Sequence, residues 1–194
     1  MPLNGAPAKS LQHWQQLQEH FPRYALVLPG DKDFVCQPEQ CGASCCRNTN
    51  VAIRESDRSR LEHHSGLPSQ EFLECENGKL LTLPLAFPYF LSRRDGGCTL
   101  LGSANLCSQY PGRPDPCRAY PYAVLLIDSS TGWPARLTSS AVGESLNGVH
   151  PELLGLHPLL VRHVDCPGFT EDRISAEDWE SIIWETAELT AEEE

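Results

Sequence analysis

The sequence predicts an α+β fold: a small, loop-rich single domain with a short antiparallel sheet and peripheral helices. Three observations predict it. Sixteen prolines and 14 glycines in 194 residues break the chain into short pieces. Apolar residues recur at helical spacing near both ends, after Ser10 and after Ser175. Short apolar and aromatic runs bounded by turn signals fill the stretch between them. The length suits one domain with its own core.

Ser10 can cap a helix over residues 10–21, in which Leu11, Trp14, Leu17 and Phe21 form one apolar face and Pro22 ends the run. Such a stripe covers the protein's own core. Residues 24–28 and 33–36 read as short strands about a Pro29-Gly30-Asp31 turn, which places the next stretch, from Cys36 to Cys46, on a loop. After an extended piece at 51–53, Ser56 and Asp57 open a helix to about His64, with Gly66 as its stop. A second short helix over 69–76 carries Phe72 and Leu73 inward, with Cys75 packed as a small hydrophobe.

Residues 80–85 and 87–91 read as strands broken at Pro84 and Pro88, and the Arg93-Arg94-Asp95-Gly96-Gly97 turn delivers Cys98. Residues 122–127 and 133–137 form a hairpin about 128–132. Leucines mixed with Pro151 and Pro158 suggest a short helix within 150–163. Ser175 and Asp178 have capping-box spacing, and Trp179, Ile182, Ile183 and Leu189 line one face of a final acidic helix whose end, 191–194, frays. The expected division is 1–33 as lead-in helix, 34–169 as the cysteine-bearing domain and 170–194 as the acidic helix.

The net charge of −11 is lopsided: residues 171–194 hold ten of the 26 acids and one of the 15 bases, leaving 16 acids against 14 bases elsewhere. A nearly neutral body without a basic stripe argues against nucleic acid as a partner. No run approaches ~18 apolar residues, so no membrane span is expected. A charged run is usually a solvated face, though the acidic helix could also contact a protein partner. The start, 1–9, lacks the features of a secretory signal, so a reducing, cytoplasmic setting is expected, in which clustered cysteines bind metal rather than pair.

Eight of the nine cysteines form a spaced series: Cys36, Cys41, Cys45 and Cys46, then Cys98, Cys107, Cys117 and Cys166. Thiolates are soft anionic donors, and four of them complete the shell of zinc or of an iron–sulfur cluster. The series therefore predicts a metal-thiolate core. In an extended backbone Cys45 and Cys46 would point to opposite sides, so either the pair serves two centres or one member is not a ligand. Arg113 and Arg118 bracket Cys117. Their charge can offset that of the thiolates from an outer position, or pair with the acidic helix. The histidines are expected at the surface or at caps, with His163 the best placed as a ligand; no nucleotide loop or catalytic triad pattern is present.

From Cys107 through Tyr110, Arg113, Pro114, Cys117, Arg118 and Tyr120 to Pro121, with Cys166-Pro167-Gly168 later, the sequence resembles the YkgJ-type cysteine-cluster family, whose cysteine region recurs in flagellin lysine N-methylases. The opening gaps are wider here, and Thr99 stands where that family commonly has proline. The resemblance implies zinc or iron binding by these cysteines. The relation to the methylases and the surplus over the four thiolates of one zinc favour an iron–sulfur cluster, 4Fe-4S in type, with a redox or metal-handling role. A metal-dependent enzyme and a zinc-stabilised interaction module are the alternatives.

Overall fold

The computed structural model describes residues 6–146 and 154–193. The elements begin with α1 (Ala6–Leu17), β1 (Tyr24–Leu26), β2 (Lys32–Phe34), α2 (Pro38–Cys41), α3 (Ser44–Asn48), β3 (Ala52–Ile53) and α4 (Glu55–Ser65). Short strands follow: β4 (Cys75–Glu76), β5 (Lys79–Leu80), β6 (Tyr89–Phe90), β7 (Arg93–Arg94) and β8 (Gly97–Cys98). The chain closes with α5 (Asp115–Ala119), β9 (Tyr122–Asp128), β10 (Pro134–Ala135), α6 (Ser139–Leu146), β11 (Leu156–His163), β12 (Phe169–Arg173) and α7 (Ala176–Thr190). This is the expected α+β class, with helices and short antiparallel sheets. By its contacts the chain divides into two compact units, Met1–Val35 with Ala119–Glu194, and Cys36–Arg118.

The first unit is built on an antiparallel sheet of order β1-β11-β9-β10. Helix α7 lays Trp179, Ile183 and Ala187 against Val27, Val124 and Leu160. Residues of the opposite parity, Ile127, Leu159 and Val161, pack with Trp14 and Leu17 of α1. Both sheet faces are therefore covered, and β11 is buried without interruption from His157 to Val161. That explains why residues 150–163 do not form the expected helix within their described part. A strand buried on both faces carries a continuous apolar run, which lacks the period-2 signal of a half-buried strand. Pro158 fits because it precedes the segment that β1 and Val27 pair with, so its missing N–H disrupts no bond to that neighbour.

Several other expectations are corrected. Helix α1 starts before Ser10, with Pro7 in its first turn where a missing N–H is harmless. Ser10 is then an interior residue, fully buried, whose Oγ lies 3.0 Å from Nε2 of the equally hidden His157. Leu11 faces solvent. Residues 69–76 form one 3-10 turn and strand β4 rather than a helix, although Phe72 and Leu73 are buried as expected. The described end of the chain does not fray: Ala191 is buried, Glu192 N–H donates to Leu137 O at 2.7 Å, and Ser139 N–H donates to Glu192 O at 2.9 Å. The hairpin of β9 and β10 and the Ser175 cap are as expected, the Ser175 Oγ accepting from Asp178 N–H at 3.0 Å.

The second unit has a thin core. Ile53, Leu61, Phe72, Leu73, Leu91 and Leu100 form its buried cluster, and its three sheets are pairs of two-residue strands. Isolated pairs of that length are marginal in water. Cys98, Cys107 and Cys117 complete the cluster from its edge. No helix among the described residues is long and apolar enough to cross a membrane.

Candidate metal centre

Seven of the eight motif cysteines lie in the Cys36–Arg118 unit, and Cys166 lies in the other. The opening cluster is not a loop. Pro38 begins α2, which carries Cys41 at its end, and consecutive left-handed residues Gly42 (φ 59°) and Ala43 (φ 56°) reverse the chain into α3. Cys45 and Cys46 sit in the first turn of α3, where successive side chains diverge by ~100° rather than ~180°. Their sulfurs stand 4.0 Å apart. The extended-backbone argument against one shared site therefore does not apply to this pair.

Arginines hold α3 in place. Arg47 Nε donates to Gly42 O at 2.9 Å, and the Arg93 guanidinium donates to Thr49 O at 2.9 Å and to Arg47 O, satisfying carbonyls at the helix end. Arg93 stands on the β7–β8 hairpin, whose Asp95 and Gly96 both have positive φ (49° and 78°), the conformation a two-residue turn requires. This hairpin delivers Cys98, as the sequence suggested. Gly97 is buried there, and a Cβ on it would lie 3.3 Å from a Leu101 methyl carbon.

The thiols feel one another. A charge on Cys45 raises the pKa of Cys36, Cys98, Cys107 and Cys117, and charges on Cys98 and Cys117 raise that of Cys46. Burial is the largest influence on Cys98, Cys107 and Cys117, pushing Cys117 up to about 12. Their hydrogen bond couples Cys45 and Cys46 as a pair, lowering the pKa of one thiol, Cys45, and raising that of the other. The backbone N–H groups of Leu100 and Gln109, each two residues past a cysteine, donate to the Cys98 and Cys107 sulfurs and favour their thiolates. Arg113 favours the thiolates of Cys36, Cys45, Cys107 and Cys117.

Arg113 Nη2 also donates to Cys117 O, and the guanidinium carbon lies 4.9 Å from the Tyr110 ring centre. Arg118 points elsewhere, its Nη1 3.4 Å from Asp115 Oδ1 at the surface. Cys75 is exposed on β4 rather than packed, because both residues of that strand face water. His157 is buried against Ser10 instead of lying at the surface. His163 is stacked with Tyr24 and Tyr120, ring centres 4.4 and 5.2 Å away. His150 is outside the described residues.

Among the described residues no three His, Cys, Asp or Glu side chains are set at metal-holding geometry. The donors are gathered but not closed into a shell. Their chemistry fits a soft metal: thiols near enough to repel as thiolates, beside an arginine and two aimed N–H groups, are relieved by a cation in their midst.

A family model described as "CxxCxxCC: Putative zinc- or iron-chelating domain" matches residues 35–139. The chain belongs to this family. The CxxCxxCC match takes in Cys36, Cys41, Cys45, Cys46, Cys98, Cys107 and Cys117, and Cys166 lies beyond it. The family is described by chelation of zinc or iron, so metal binding in general is the activity to which membership assigns this chain. No curated protein and no solved structure matches it.

Proposed function

We propose that the CxxCxxCC cysteines hold an iron–sulfur cluster, 4Fe-4S in type, in a reducing cytoplasmic setting, with a redox or metal-handling role. The observation that carries this reading is the placing of Cys98, Cys107 and Cys117 together at the edge of one apolar cluster, with Cys45 and Cys46 presenting sulfurs 4.0 Å apart from α3 in the same unit. A 4Fe-4S cluster takes four thiolates, as a zinc ion does, but spreads them over a larger frame than a single ion. Cys41 lies in the same unit as these thiols, and Cys166 lies in the other. When bound, the cluster would supply one-electron transfer. The protein's own part is to supply thiolates, to set Arg113 beside them as counter-charge, and to shield Cys117 from water.

Of the adjacent pair on α3, Cys45 is taken as the ligand and Cys46 as an outer donor. Cys45→Ser is expected to lose at least about tenfold in retained metal per chain, against a smaller loss for Cys46→Ser, because outer donors tune a site that inner ones build. Iron, zinc and acid-labile sulfide measured after anaerobic gel filtration read this out. Equal retention by Cys45→Ser and wild type would remove Cys45 from the site.

A further inference from the structure

Helix α4 contributes no cysteine, yet it presents a row of residues to the segment that carries Cys117. Asp57, Arg60, Leu61 and His64 recur at i, i+3, i+4 and i+7, which is one helical face. The Asp57 side chain is fully buried, and its Oδ1 accepts the Asp115 N–H at 2.8 Å. Arg60 Nη2 donates to Asp57 Oδ1 at 2.5 Å, to Asp115 Oδ1 at 2.6 Å and to Arg113 O at 3.1 Å. Asp57 Oδ2 turns back to the Arg54 N–H at 3.3 Å, which ties the carboxylate to the start of its own helix. At the far end of the row the backbone comes close: a Cβ on Gly112 would stand 2.9 Å from His64 Cβ.

One residue, Pro116, separates this network from the sulfur ligand. Pro114, between Arg113 and Asp115, is buried, and its carbonyl accepts the Cys117 N–H at 2.9 Å. Arg113, whose carbonyl Arg60 holds, donates in turn to Cys117 O. The segment 112–117 is thus gripped by α4 at Gly112, Arg113 and Asp115, and it passes that grip to Cys117 through chain stiffened by two prolines, Pro114 and Pro116. A buried carboxylate is costly unless several donors reach it, and three do here. A surface helix needing only to fill space would be served by an apolar residue at that position.

We propose that Asp57, acting with Arg60, is a positioning residue that fixes Cys117 in place for metal capture. The metal half of this statement rests on the cluster reading above; the positional half rests on the hydrogen bonds alone. The clamp sets Cys117 before metal arrives, so that binding need not order the segment.

The test uses the full chain with Asp57→Asn and Arg60→Gln, and with Ile53→Ala as a variant that thins the same core without touching the clamp. Two quantities are read. In metal-free protein, the rate of Cys117 alkylation is followed by mass spectrometry against exposed Cys75 as internal reference. In metal-loaded protein, the rate of release to a chelator is followed. Both clamp variants are expected to label Cys117 about tenfold faster, through local opening of segment 112–117. Metal release is expected to quicken about 10- to 100-fold, the range seen for outer partners of metal ligands. Ile53→Ala should lower the melting temperature without raising Cys117 labelling selectively. Unchanged labelling in both clamp variants, or equal selective labelling in Ile53→Ala, overturns the clamp. If the clamp variants expose Cys117 while wild-type protein binds no metal, the positional half stands and the cluster reading falls.

Discussion

Stripping the metal with a chelator is expected to raise backbone amide exchange by at least about tenfold across the Cys36–Arg118 unit, while the β9–β11 ladder stays protected. The reporters are amides with defined partners: Leu91 to Val51 O at 3.0 Å, Ser92 to Phe72 O at 2.8 Å, Thr99 to Ser92 O at 3.0 Å and Ser108 to Leu100 O at 2.8 Å. All belong to a unit whose core is one small apolar cluster edged by cysteines. Where a core is that thin, bound metal adds a substantial part of the unit's stability to what its apolar cluster and the α4 clamp supply without it. The amides of β9 and β11 belong to a sheet covered on both faces and should open only with the whole of their unit. Exchange that rises equally in both units, or in neither, would contradict a stabilising role for the metal in the cysteine-bearing unit.

The second large effect is at Trp179, which is 1% exposed and donates its indole N–H to Val27 O at 2.8 Å. Trp179→Ala should cost about 3–5 kcal/mol through lost burial and the cavity left behind. Trp179→Phe keeps most of the apolar contact but leaves the Val27 carbonyl without its donor, at about 1–3 kcal/mol. For a chain of this size the alanine variant should lower the melting temperature by about 10 °C, and calorimetry checks both. A loss for Trp179→Ala no larger than that for Trp179→Phe would show that the α7 face contributes little to the sheet.

What could be read in the sequence was what local chemistry dictates. The Asp95-Gly96 hairpin, the Ser175 cap and the Gly66 stop are all set by residues within a few positions of one another. The misreadings came from tertiary context. Strand β11 looked like anything but a strand because both its faces are covered, and His157 looked like a surface group because nothing local announces Ser10 across 147 positions. The two-helix form of the Cys36–Cys46 stretch depends on adjacent left-handed residues, one of them Ala43, a residue that does not advertise that conformation. The cysteines themselves were legible as a series. Asp57 was not singled out as more than a helix opener, although its spacing to Arg60, Leu61 and His64 is a helical face and could have marked α4 as a docking helix. Arg93 gave no signal, since its role is to end a helix far from it in sequence.

The central claim is that the gathered thiols bind a cluster, and metal and acid-labile sulfide per chain in protein purified without oxygen test it most directly. The account predicts iron and sulfide in equal amounts, with a broad visible absorption that bleaches on reduction by dithionite. A folded protein that retains neither iron nor zinc under those conditions would contradict it, and a colourless protein replete with zinc and free of sulfide would contradict the cluster.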